Sequence, residues 1–151
     1  MDTAQIPAPA RVMELTTGAW ITQAVSVAAS LGVADVLASG SRPVDEIASA
    51  VGADAPSRHR VLRALADVDV FRELDRERFA LTETGELLRS DVPGSVRGWA
   101  VMAGAPFHVD AWTGLLESVR TGEPAFELVH GQLGFDYLRD HPDDGPCSTR
   151  A

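Results

Sequence analysis

Four histidines, His59, His108, His130 and His141, are the residues best suited to proton transfer, because an imidazole changes charge near neutral pH. His108 stands in Phe107-His-Val-Asp-Ala-Trp112, at the expected start of an apolar helix. Asp110 lies two residues on and would not face it there. His108 and His130 are the candidate catalytic residues; a hydrogen-bonded wall histidine is the plainer reading of each. No His-x-x-x-His or Cys-x-x-Cys occurs, so no metal site is expected. No Gly-x-Ser-x-Gly turn presents a nucleophile. The glycines form neither Gly-x-Gly-x-x-Gly nor a Walker-type loop, and Gly131-Gln-Leu-Gly134 follows no expected strand. No cofactor-binding residue is expected in this chain.

A second constellation is aromatic. Trp99, Met102, Phe107, His108, Trp112, Phe126, His130, Phe135 and Tyr137 crowd the last third of the chain. Such residues can wall a pocket for a flat, apolar ligand, with histidine or a tyrosine hydroxyl fixing its orientation. Taken singly, each reads equally well as helix-packing core. Asp143 and Asp144, the paired carboxylates of the tail, read as solvated.

The elements that must hold these residues are mainly helical. From Arg11 to about Leu31 the spacing predicts a helix with no charge between Glu14 and Asp35. That length approaches the roughly 20 residues of a membrane span. Thr16, Thr17, Thr22, Gln23, Ser26 and Ser30 and the stop at Gly32 argue against one. A helix apolar nearly all round has to bury two faces, and a dimer offers more cover than one small domain. Val44, Ile47, Ala48 and Val51 fall at i, i+3, i+4 and i+7, predicting a helix after Pro43 and before Gly52. A second helix is expected over Ser57–Asp67 with Val61, Leu62, Leu65 and Val68 inward. Val70–Leu74 and Arg78–Leu81 alternate around Asp75-Arg-Glu77, as a two-stranded wing would. Residues 43–82 thus read as a winged helix-turn-helix.

Thr82 is placed to cap a short helix, and Ser95–Ala103 forms another. Phe107–Arg120 is expected as one helix with Trp112, Leu115, Leu116 and Val119 as its stripe. Residues 124–134 read as irregular and Phe135–Asp140 as a last helical turn or two. Residues 1–10 read as a flexible lead and 143–151 as a disordered tail, leaving 11–142 as one domain.

Composition limits the partners. The 151 residues carry 22 acids and 13 bases, a net charge of −9, and every base is arginine. That balance disfavours a polyanion. Arg58, His59, Arg60 and Arg63 form a local basic cluster, but the wing is neutral and Asp67 and Asp69 close the helix. Nucleic acid is therefore not the expected partner. The single cysteine, Cys147, and the lack of a signal peptide fit a cytoplasmic protein.

One ordered set of segments resembles a known family. It comprises Gly18-Ala-Trp-Ile-Thr-Gln-Ala24, Ser30-Leu-Gly-Val-Ala-Asp-Val-Leu37, Val44-Asp-Glu-Ile-Ala48 and Arg58-His-Arg-Val-Leu-Arg-Ala-Leu65. Phe79-Ala-Leu-Thr-Glu-Thr-Gly-Glu-Leu-Leu88, Trp112-x-x-Leu-x-x-Ser-Val-Arg-Thr-Gly122 and Phe135-Asp-Tyr-Leu138 complete it. Together they resemble the N-terminal dimerisation domain of S-adenosylmethionine-dependent small-molecule O-methyltransferases, above all bacterial enzymes acting on anthracyclines and aromatic polyketides. The resemblance implies a homodimer, or a heterodimer with a homologous methyltransferase, through intertwined N-terminal helices. It implies that the winged helix supports the dimer. By position it makes Trp99, Met102, Phe107, His108 and Trp112 substrate-wall residues for an aromatic small molecule. In that family a Rossmann-type domain carrying the cofactor loop and the catalytic histidine follows the equivalent of His141-Pro142. Here Asp-Asp-Gly-Pro-Cys-Ser-Thr-Arg-Ala follows instead, so no methyl transfer by this chain alone is expected. Two other readings keep a basis in the residues. One is a standalone tailoring enzyme that cyclises or isomerises an aromatic polyketide-like ligand, with His108 or His130 as acid or base. The other is a winged-helix transcriptional regulator.

Overall fold

In the computed structural model, residues 6–52, 54–75 and 77–144 are described. Helix α1 (Ala8–Ser30) is 23 residues long, and only its C-terminal end enters the core. Ser26, Ala28 and Ala29 are buried there, and small side chains let other helices approach closely. Gly32, at φ +67°, then turns the chain into α2 (Val33–Val36), a conformation that favours glycine.

A helix-turn-helix follows. In α3 (Val44–Ala50) the expected stripe of Val44, Ile47 and Ala48 is buried. Asp45 and Glu46 lie in its first turn, where the helix dipole favours acids. In α4 (Ala55–Ala66), Asp54 caps the N-terminus by accepting from Ser57 N at 3.0 Å. Leu62 and Leu65 are fully buried. Val68 is exposed, contrary to the expected stripe: α4 ends at Ala66 and Asp69 takes φ +58°, so the chain has left helical phase.

The wing has one more strand than the two expected. Strands β2 (Phe71–Leu74) and β3 (Arg78–Leu81) pair antiparallel, with Phe71 opposite Leu81 and Leu74 opposite Arg78. Strand β1 (Arg42–Pro43) joins the other side of β3, in the order β1-β3-β2. Pro43 has no N–H to offer a ladder, and an edge strand tolerates that. Phe71 and Phe79 point into the core beside Leu37, Ile47, Leu62 and Leu65.

Thr82 caps α5 (Glu83–Glu86) as expected, accepting from Gly85 N at 3.1 Å. Its buried hydroxyl also shares its proton with Asp69 O and Val70 O at 2.7 and 2.8 Å. Helix α6 (Arg97–Ala103) crosses α1 closely. Ser26 Oγ donates to Val101 O at 3.2 Å, and a Cβ on Gly104 would lie 2.3 Å from Ser26 Cβ. Arg97 donates to Ala29 O at 2.9 Å and to Asp35 at 2.8 Å. Asp35 accepts in turn from Ser90 N at 2.7 Å, so one carboxylate joins α2, the 87–96 loop and α6.

The segment expected as one helix from Phe107 to Arg120 is broken. It forms α7 (Pro106–Ala111), a 3-10 turn (Trp112–Gly114) and α8 (Leu115–Thr121). At this break the chain packs closely: a Cβ on Gly114 would meet Val129 at 2.9 Å and Ala125 O at 3.1 Å. The expected stripe of Trp112, Leu115, Leu116 and Val119 is between 45% and 75% exposed. Residues 125–130, expected as irregular, are helix α9 (Ala125–His130), and α10 (Gly134–Asp140) follows. A 3-10 turn over Pro142–Asp144 replaces the start of the expected tail. The remainder of that tail, 145–151, and residues 1–5 of the expected lead lie outside the described residues. Within the lead, α1 already begins at Ala8.

Two substitutions test this packing by urea denaturation. Thr82→Ala should lose about 1–2 kcal/mol, the usual cost of a lost cap. Gly104→Ala should lose about 1–3 kcal/mol by forcing α1 and α6 apart. Unchanged midpoints for both would refute the arrangement.

Candidate functional site

Helices α7, α9 and α10 enclose an aromatic cluster whose hub is Tyr137. Its ring stacks on Phe107 at 5.6 Å and on His141 at 4.2 Å. Phe126 meets it edge-on at 5.6 Å, and His130 lies tilted at 4.9 Å. Edge and offset contacts of this kind suit the ring quadrupoles and add to plain burial. The phenol donates to Asp144 Oδ2 at 3.2 Å. Burial, then the hydrogen bond and charge of Asp144 and the charge of Asp110, hold its pKa above the ordinary 10.

The histidines are tied to backbone carbonyls. His108 Nδ1 lies 3.1 Å from Ala103 O, and His130 Nε2 lies 2.8 Å from Phe107 O. His141 Nδ1 is 3.0 Å from Tyr137 O. A carbonyl only accepts, so each of these nitrogens carries a proton. In the neutral ring the other nitrogen, Nε2 of His108 and Nδ1 of His130, keeps a lone pair. Each can accept one hydrogen bond from a ligand hydroxyl. The fourth, His59, belongs elsewhere: it and Arg63 converge on the Glu73 carboxylate of β2 at 3.4 and 3.5 Å.

The five expected wall residues lie on α6, on α7 and in the 3-10 turn after it. Phe107 is buried in the cluster. His108 abuts it at 6.4 Å and meets the exposed Trp112 edge-on at 6.3 Å. Met102 is half-buried on α6. Trp99, also on α6, is exposed on a different feature, an apolar groove of about 360 Å³. The groove is bounded by Ile21 and Val25 of α1, Leu87, Val96 and Ala103. Phe135 is 91% exposed and does not join the cluster. Sequence reasoning missed Tyr137 as the hub and His141 and Asp144 as its partners. The i, i+4 pairs Phe126/His130 and Tyr137/His141 were the available signal, hidden where no helix was expected over 125–130.

Among the described residues no group of three or more His, Cys, Asp or Glu could hold a metal, and no helix is long and apolar enough to cross a membrane. Gly131 and Gly134 join α9 to α10 and follow no strand. They do not fit the strand–loop–helix that cradles a nucleotide-like cofactor.

The family model described as the O-methyltransferase dimerisation domain matches residues 13–91. This chain belongs to that family. The domain is similar over 138 residues, at 41% identity, to the phenazine O-methyltransferase PhzM of Lysobacter antibioticus, a match that takes in 91% of this chain and 40% of the relative. The crystal structure of LaPhzM superposes with a TM-score of 0.86 at 41% identity, covering 92% of this chain and 42% of that one. A neocarzinostatin-pathway O-methyltransferase, NcsB1, solved with S-adenosyl-L-homocysteine and 1,4-dihydroxy-2-naphthoic acid, gives a TM-score of 0.67 at 40% identity, covering 80% of this chain and 37% of that one. The domain thus spans about two fifths of the length of the curated relatives it matches.

The Tyr137 environment predicts a measurable titration. A phenol whose folded pKa is raised contributes stability below the ordinary value, and that stability is lost as pH rises through the folded value. The sequence has one tyrosine, so absorbance at 295 nm reports it alone. The native midpoint should lie above that in denaturant and fall back in Asp144→Asn. Coincident native and denatured midpoints would show that the phenol is neither buried nor bonded to Asp144.

Proposed function

We propose that this chain is the dimerisation and substrate-wall domain of a natural-product methyltransferase, acting on a flat, hydroxylated aromatic compound. The observation that carries this reading is the family match over residues 13–91, which takes in residues 13–30 of α1, a helix exposed over its N-terminal half. Exposed apolar area of that extent marks an association surface. We take the partner to be a second copy, with a homologous methyltransferase as the alternative partner. The wall would be formed by His108 and Trp112, backed by the Phe107–Tyr137 cluster, with Trp99 and Met102 on the neighbouring helix. His108 Nε2 would accept from a substrate hydroxyl and fix its orientation. In this reading S-adenosylmethionine belongs to the part of the relatives' length that this chain does not span. That part would supply the methyl group and the catalytic base. The described residues bind, orient and exclude water.

The histidine-tied tautomers support a positioning role over proton transfer. Each ring already spends one N–H on a carbonyl that holds its helix. The relatives include methyltransferases of phenazines and naphthoates, and a stacked-ring wall suits such flat molecules.

Light scattering tests the association. The chain should elute at twice its 16.1 kDa mass at micromolar concentration. Incubated alone with S-adenosylmethionine and a dihydroxynaphthoate, it should transfer no methyl group. A monomer would overturn the proposal, and so would methylated product from the chain alone.

A further inference from the structure

The polar groups around the aromatic cluster are set to accept hydrogen bonds. His108 Nδ1 and His130 Nε2 give their protons to Ala103 O and Phe107 O, at 3.1 and 2.8 Å. The neutral rings therefore turn lone pairs outward, on Nε2 of His108 and Nδ1 of His130. Tyr137 gives its one proton to Asp144 Oδ2 at 3.2 Å. The donors left on the five wall residues are the indole N–H groups of Trp99 and Trp112, and both are neutral.

The charges nearby have the same sign. Residues 107–144 hold eight acids and two arginines, a net charge of −6 within a chain of −9. Both arginines sit beside acids of their own helices. Arg120 lies 3.6 Å from Glu117, and Arg139 lies 2.7 Å from Asp136 and 3.6 Å from Asp140. Arg97, at the start of α6, is turned inward to Ala29 O and Asp35. Two acids act directly on the cluster. Asp144 accepts from the Tyr137 hydroxyl, and the charge of Asp110, two residues before Trp112, is felt by the same phenol. Charges in water remain effective over about 8 Å at physiological salt, roughly the length of a two-ring ligand.

A phenol laid on this wall exchanges a bond to water for one to an imidazole lone pair. An aryl carboxylate would give up its hydration to meet lone pairs and like charges, and a buried charge left unpaired is costly. We infer that the edge of the aromatic compound facing His108 and Trp112 carries hydrogen-bond donors and no carboxylate, so that the ligand class is a neutral or cationic hydroxyarene. The inference rests on the proposed substrate wall and narrows what that wall selects.

Two probes of the same ring system test it, 2-naphthol and 6-hydroxy-2-naphthoate. Each is titrated to millimolar concentration at pH 8 into the intact chain, and the Trp112 indole N–H signal is followed by NMR, identified by its loss in Trp112→Phe. The dissociation constant of 2-naphthol should be about tenfold the lower, as a few like charges at such distances imply. Asp110→Asn, at an exposed position, should narrow the gap by tightening the naphthoate alone. Adding Asp144→Asn should narrow it further, with helix content by circular dichroism retained. Equal binding of the two probes overturns the inference and leaves the wall standing, and so does a gap that Asp110→Asn leaves unchanged. A Trp112 signal that neither probe moves overturns both.

Discussion

The structure depends on a close crossing of α1 over α6. Ser26 and Gly104 meet where no larger pair would fit, and Ser26 uses its hydroxyl to bond the facing helix. Arg97 then reaches from α6 to the carbonyl of Ala29 and the carboxylate of Asp35. Four segments therefore take their positions from one contact: α1, α2, the 87–96 loop and α6. The helix-turn-helix and its three-stranded sheet hang on the other side of the same α1 end, through Ala28, Ala29, Leu62 and Phe71. Loss of this crossing would loosen the groove and the core together.

A helix-turn-helix shape is not by itself a DNA-reading surface. A reading helix needs free cations near its N-terminal half. In α4, Arg63 and His59 are drawn towards Glu73 on β2, and His59 rests edge-on against Phe79 at 5.9 Å. The same contacts fasten the sheet to the helix. A net charge of −9 adds long-range repulsion of any polyanion. Shape and electrostatics point different ways here, and the electrostatics bear more directly on partner choice.

Much of this was legible in the sequence where local rules and burial agree. The α3 stripe, the second helix of the motif and the Thr82 cap depend on residues close together in the chain. The failures share a cause. Periodicity shows that one face of a helix is apolar, and says nothing about whether its own chain covers it. Trp112, Leu115, Leu116 and Val119 kept the helical spacing and still face outward. The break at Trp112–Gly114 lies where Gly114 packs against Ala125 and Val129, residues more than ten positions away that local periodicity does not reach. The edge strand at Arg42–Pro43 is two residues long, too short for alternation to register. The Tyr137 hub was hidden because α9 lies between Pro124 and Gly131, residues that read as loop.

Helices α7 to α10 are each six or seven residues long. An isolated helix shorter than about 12–15 residues is marginal in water, so none of these would persist alone. Their order is borrowed from the rings of Phe107, Phe126 and Tyr137 and from two histidine–carbonyl bonds. Such a unit opens cooperatively when its few shared contacts fail. The free energy for that opening should lie well below the one for the α1–α6 core. The domain would then breathe at the end proposed to meet substrate while its centre stays closed.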